Sequence, residues 1–171
     1  CLYCVSVSAE DADLSKRIMG YKWVKERFAR HGVMFGDSLF RLTYEIQTGS
    51  LPDNDENHPR TRAEAVIDQF VEAVGLPENL IRASEVQSRP DYSNILDSIE
   101  KSFANNADFR ESVIHCADTF VARQCKRGTL RIPKSAAMDL SIQYVLEEIA
   151  IYDTIASDGW LTDAYLGREL P

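Results

Sequence analysis

The 171-residue sequence has no apolar run long enough to span a bilayer and no recognisable secretory leader, so a cytoplasmic setting is expected. Positive charge is scarce: 19 Lys and Arg against 27 Asp and Glu give a formal net charge of -8. That balance argues against a generally basic nucleic-acid binder and leaves only local basic patches for such a role. Cysteine is limited to Cys1, Cys4, Cys116 and Cys125. Cys1 and Cys4 have a zinc-like or redox-like spacing, and His115 could complete a set. Both fall in one apparent strand, however, where positions three apart face opposite ways and no turn joins the sulfurs. Four reduced, buried thiols are expected, with no metal. There is no G-x-S-x-G turn, and none of His31, His58 and His115 lies in a triad-like motif. Repeats and low-complexity tracts are also absent.

What is present fits one domain over residues 1–171, with 44% hydrophobic residues to build its core. Cys1 to Val7 is uncharged and free of Gly and Pro, as in a buried strand of a parallel sheet. It stops at Ser8, and an acidic turn leads into a helix over Ser15–Gly32 that Gly32 is expected to end. A strand ending in a serine puts that hydroxyl at the carboxyl edge of the sheet, where open α/β folds bind ligands. In the helix, Leu14, Ile18, Tyr21, Val24 and Phe28 mark an apolar stripe, and Lys16, Arg17, Lys22, Lys25, Arg27 and Arg30 its basic remainder.

Val33–Tyr44 reads as a second strand and its exit, and Gln47–Pro59 as a polar loop. Thr61–Val74 reads as a helix with Ala65, Phe70 and Val74 among its apolar positions, and Asn79–Ser84 as a short strand. Helices follow Pro90, with an N-cap within Asn105–Asp108 and a last long helix over Ser135–Ile155. Leu161–Leu166 reads as a closing strand. Arg123–Lys134 has five basic residues, Lys126 and Arg127 among them, and no acid. Strands separated by helical connections favour an α/β fold, a parallel sheet with helices on its faces.

The last helix carries the chemical anomaly. Leu140, Tyr144, Val145, Ile151, Tyr152 and Ile155 mark an apolar face, and Glu148 falls within it, while Glu147 is assigned to the wet side. A buried carboxylate needs a partner. That partner is either an internal Arg or hydroxyl, or a cationic ligand: a carboxylate and the Tyr144 phenol one turn apart suit a primary ammonium.

Several segments together resemble the tRNA-dependent cyclodipeptide synthases. V-S-V-S-A-x-D, ending the first strand at Ser8, is similar to that family's nucleophile segment. Gln143–Glu148 (QYVLEE) is similar to its N-Y-V-L-x-E helix. P-D-Y-S at 90–93, K-S-F-A-N-N-A-D-F at 101–109 and Tyr165 within LTDAYL follow at the family's spacing.

The resemblance implies a Rossmann-like fold akin to class I aminoacyl-tRNA synthetases, and two aminoacyl-tRNAs joined into a cyclic dipeptide. Ser8 is then the nucleophile, Tyr144 and Glu148 bind the α-ammonium, and Tyr165 assists proton movement. No H-x-G-H or K-M-S-K-S is present, so no nucleotide cofactor is expected. The resemblance places Cys4, Ser6, Asp11, Met34, Ala83, Ile151, Tyr152 and Asp163 around the amino-acid pockets. Asp11, where many members have Asn, and Asp163 suit a cationic side chain such as arginine. Acidic residues in Thr61–Val74 exclude that helix as a phosphate binder, so tRNA contact falls to Lys16, Lys22 and Lys25 and to Arg123, Lys126 and Arg127. Two other readings stay open: an esterase using Ser8, and a non-catalytic Rossmann-like binding module.

Overall fold

The structure, a computed structural model, describes residues 1–7, 14–52 and 58–160. Strand β1 (Leu2–Val5) is followed by α1 (Leu14–Arg27), β2 (Gly32–Phe35), α2 (Phe40–Thr48) and α3 (Pro59–Val74). Then come β3 (Leu80–Arg82), α4 (Ala83–Gln87), α5 (Tyr92–Asn105), α6 (Ala107–Arg127) and α7 (Lys134–Ala156). The strands form a parallel sheet in the order β1-β2-β3, with Cys4 beside Met34 and Met34 beside Ile81.

Alternation along the strands divides the core in two. Tyr3, Val5, Val33 and Phe35 pack with Tyr21 and Val24 of α1 and with Ala63, Ile67 and Phe70 of α3. Leu2, Cys4, Met34 and Ile81 face the other way, toward Val86 of α4, Ile99 of α5, Val113 of α6 and Leu146, Ala150 and Ile151 of α7. The α/β reading with helices on both faces therefore holds. Cys1 and Cys4 do pack on opposite faces, as their spacing requires.

Several local expectations are corrected. Gly32 does not end α1. It opens β2, where a Cβ would stand 2.7 Å from the Asn79 carbonyl oxygen and 2.9 Å from Leu2, so glycine serves close strand packing. Arg17 is not on the wet face: it is buried, and its guanidinium donates to the Ser6 carbonyl at 2.8 Å. Phe28 is exposed, whereas Gly20 is buried against the Tyr3 ring.

The exit from β2 is a helix, with Phe40, Leu42 and Ile46 buried and Gly49 closing it at φ 96°. Residues 47 and 48 of the expected loop belong to that helix. In α3 the buried positions are Ala63, Ile67 and Phe70, and Ala65 is exposed. Cys116 and Cys125 are exposed rather than buried, while Cys1 and Cys4 are half-buried. The Asn106 side chain caps α6 by accepting from the Phe109 amide at 3.1 Å, as the sequence indicates. The expected closing strand at 161–166 lies outside the described residues. Among the described residues, no helix is long and apolar enough to cross a membrane.

Candidate active site

A cavity of about 550 Å³ opens beyond the carboxyl ends of β1 and β2. The strands contribute Cys4, Val5 and Met34 to its wall, Ser6 and Gly36 follow directly after β1 and β2, and α2 adds Thr43, Ile46 and Gln47. From α7 come Ser141, Tyr144, Val145, Glu148 and Tyr152, and from α6 Cys116, Ala117, Phe120, Arg123, Gln124 and Arg127. Both helical sets recur every three or four residues, so each helix presents one continuous stripe to the cavity.

Within the α7 stripe, Glu148 sits between two phenols, one turn before it and one turn after. The hydroxyls of Tyr144 and Tyr152 each donate to its Oε1 at a long 3.5 Å. Among the described residues no cationic side chain pairs with Glu148. Burial raises its pKa above the ordinary carboxylate value, and the bonds from Tyr152 and Tyr144 only partly oppose that shift. Tyr152 is pushed upward as well, by burial first and then by Glu148 and Cys4. Burial pushes the Cys4 thiol up to about 11, although a hydrogen bond from Tyr152 works the other way. Cys4 is thus a neutral thiol at neutral pH. An arriving ammonium reverses this balance, because an opposite charge at hydrogen-bond distance favours the ionised carboxylate.

Glu147 corrects the expectation that it faces water. It is 7% exposed. Its oxygens accept from Arg41 Nη2 at 2.6 and 2.9 Å, from Gln143 at 2.8 Å and from Gln87 at 3.0 Å. The physical reason is that α7 has neighbours on several sides, α2, α4, α5 and α6, and so has no wet face at this level. The internal arginine that a buried glutamate demands therefore exists, but it serves Glu147 rather than Glu148.

Of the residues placed around the amino-acid pockets, Cys4, Ser6, Met34 and Tyr152 line the cavity with Tyr144 and Glu148. Ala83 and Ile151 do not. Both are fully buried in the core between the sheet and α7. Ser8, Asp11, Asp163 and Tyr165 lie outside the described residues.

Lys16, Lys22 and Lys25 are exposed on α1, which packs on the opposite face of the sheet from the helices around the cavity. Arg123, Lys126 and Arg127 are all exposed near the end of α6, but only the two arginines line the cavity. Two features escaped sequence reasoning. Tyr152, expected on the apolar face and at an amino-acid pocket, is also a second phenol on Glu148, a role carried by Tyr-Glu-Tyr at four-residue spacing. The α2 wall carries no such signal, because Val33–Tyr44 reads in sequence as a strand and its exit.

The family model for cyclodipeptide synthase matches residues 3–156. Among solved structures, a cyclodipeptide synthase from Fluoribacter dumoffii is similar at a TM-score of 0.72 and 17% identity, over 94% of this chain and 73% of that one. A cyclo(L-leucyl-L-phenylalanyl) synthase matches at 0.64 and 16%, over 91% and 72%. AlbC, a cyclodipeptide synthase from Streptomyces noursei, matches at 0.62 and 16%, over 91% and 77%. At such identities these likenesses speak for the fold. No curated protein matches the chain.

Proposed function

The chain belongs to the cyclodipeptide synthase family, enzymes that form a cyclic dipeptide from aminoacyl-tRNAs, and on that premise we propose that Ser8 carries the growing dipeptide while Tyr144 and Glu148 hold its amine. Support comes chiefly from Glu148: a carboxylate bridged by two phenols in a cavity at the carboxyl edge of the sheet, with no cation from the described residues.

In the first step the Ser8 hydroxyl attacks the aminoacyl ester. A C–O bond forms to Ser8, the bond to the tRNA ribose oxygen breaks, and the serine proton passes to that leaving oxygen. The ester is already activated, so the serine needs no triad. The α-ammonium of the bound residue pairs with Glu148 and is oriented by the phenols. After giving up a proton to Glu148, this amine attacks the ester carbonyl of a second aminoacyl-tRNA. The N–C bond forms, the bond to the ribose oxygen breaks, that oxygen takes the proton the amine loses on acylation, and a dipeptidyl group is left on Ser8. The new terminal amine then attacks the Ser8 ester, closes the ring and returns the hydroxyl, with Tyr165 assisting the proton transfers. Holding amine and ester together lowers the closing barrier by as much as roughly 7–11 kcal/mol for well-oriented partners.

The finer reading is an arginine-containing product, with Asp11 and Asp163 pairing the guanidinium. Lys16, Lys22, Lys25 and Lys126 supply diffuse attraction to the tRNA backbone. The test is incubation with a panel of charged tRNAs, followed by mass spectrometry of small products and of the intact protein. A cyclic dipeptide and an aminoacyl adduct, lost together in Ser8→Ala, are expected. No product and no adduct from any charged tRNA would overturn the mechanism. Products that never contain arginine would overturn the specificity alone.

A further inference from the structure

Along its cavity stripe, α6 changes character from Cys116 and Phe120 to Arg123 and Arg127. The two arginines are four residues apart, so their guanidinium groups share one helix face. Both are exposed as well as cavity-lining, which places them at the mouth rather than the floor. The carbonyl end of α6 does not itself attract an anion. It is closed by Gly128 at φ 68°, and the Thr129 amide donates to the Gln124 carbonyl at 3.1 Å. Any anion at this mouth is therefore held by the side chains.

Helices α6 and α7 are joined through 128–133 and pack as an antiparallel hairpin. Val113 shares one core cluster with Leu146 and Ala150, and Val121 shares another with Ala137. That register sets Tyr144 opposite Cys116 and Ala117. From there to Arg123 is six to seven residues of helix, roughly 10 Å at 1.5 Å per residue. Glu148 lies one turn deeper, opposite Val113 and roughly 15 Å from Arg123 along the helix, but its carboxylate meets the Tyr144 hydroxyl, and the Arg123 side chain spans the remaining distance. In an aminoacyl-tRNA the α-nitrogen is separated from the 5′ phosphorus of the terminal nucleoside by eight bonds, through the ester and ribose. At the reach per bond of an extended backbone this is also roughly 10 Å.

Resting on the amine site proposed above, we infer that Arg123 and Arg127 grip the phosphodiester joining the last two nucleotides of the aminoacyl-tRNA. The substrate then spans the cavity, amine at Glu148 and phosphate at the mouth. The basic set read from sequence divides accordingly: Arg123 and Arg127 act on one phosphate next to the ester, and Lys126, outside the cavity lining, does not.

The test uses stable 3′-amide analogues of aminoacyl-adenosine, with and without a 5′-linked cytidylate, each bearing either alanine or glutamate. Binding is measured on the full chain by calorimetry, so that it does not depend on acyl transfer. The cytidylyl compounds should bind at least about 10-fold tighter than the adenosines, the size of one charge-assisted hydrogen bond. Combined Arg123→Gln and Arg127→Gln should erase that ratio, while Lys101→Gln, a surface charge on α5, should leave it intact. Equal binding with and without the phosphodiester, or a ratio that survives the double substitution, overturns the inference. So does a loss confined to the glutamyl compounds, which would mean that the arginines read an acidic side chain. An arginine-dependent ratio without any Ser8 adduct would preserve this inference and defeat the proposed mechanism. An adduct without the ratio would do the reverse.

Discussion

Glu147 and Glu148 are adjacent in sequence and opposite in role, and Glu→Gln at each position separates the roles. At Glu147 the change removes the charge that Arg41 faces and gives the side chain an N–H donor, where Arg41, Gln87 and Gln143 all donate. One of those donors loses its acceptor. Removing one member of a fully buried ion pair costs about 3–5 kcal/mol. Arg41 keeps 35% of its side chain exposed, however, and can be rehydrated. The discounted cost is about 2 kcal/mol, and for a chain of this size a melting temperature lower by roughly 4–8 °C.

At Glu148 no ion pair with the described residues is lost, and the amide oxygen still accepts from a phenol. Stability at neutral pH should not fall, because the amide replaces a carboxylate that burial already disfavours, while amine binding and product formation collapse. Thermal unfolding of both variants at neutral pH, alongside product formation, decides the matter. If Glu148→Gln melts as low as Glu147→Gln, Glu148 is a structural acid and the amine site proposed for it is wrong.

The pH dependence of stability gives a second test. Native Glu148 retains a proton that the unfolded chain has released, so stability falls as pH rises from the ordinary carboxylate range toward the raised native value. Glu148→Gln lacks this penalty, and its melting temperature relative to the parent should improve as pH rises above the ordinary carboxylate range; a flat difference would contradict the buried-acid description. Iodoacetamide at mildly alkaline pH should label the exposed Cys116 and Cys125 well before Cys4, whose thiol is held at about 11; early labelling of Cys4 by peptide mapping would show that it is open and ionised. Gly20→Ala should destabilise by about 1–3 kcal/mol, since its Cβ would fall 2.5 Å from the Tyr3 hydroxyl and ring; an unchanged denaturation midpoint would mean that the ring moves aside freely.

The α/β class was legible because it depends on local patterns: an uncharged β-branched run, helical stripes of period three to four, and the Asn106 cap. The amine site was half legible, since Tyr144 and Glu148 sit one turn apart on any helix and Glu148 interrupts an apolar face whatever it packs against. Which glutamate faces a counter-charge was not legible, because Arg41 is 106 positions away and only packing brings it to Glu147. The same holds for Gly32, which reads as a helix stop until the sheet presses Asn79 and Leu2 against it. The division of the basic residues also needed three dimensions: α1 and α6 carry similar charges, but only α6 runs beside α7. Periodicity determines which face of an element is apolar. What that face meets, and therefore whether a charge is paired or left for a ligand, depends on elements far apart in the chain and is decided only when they pack.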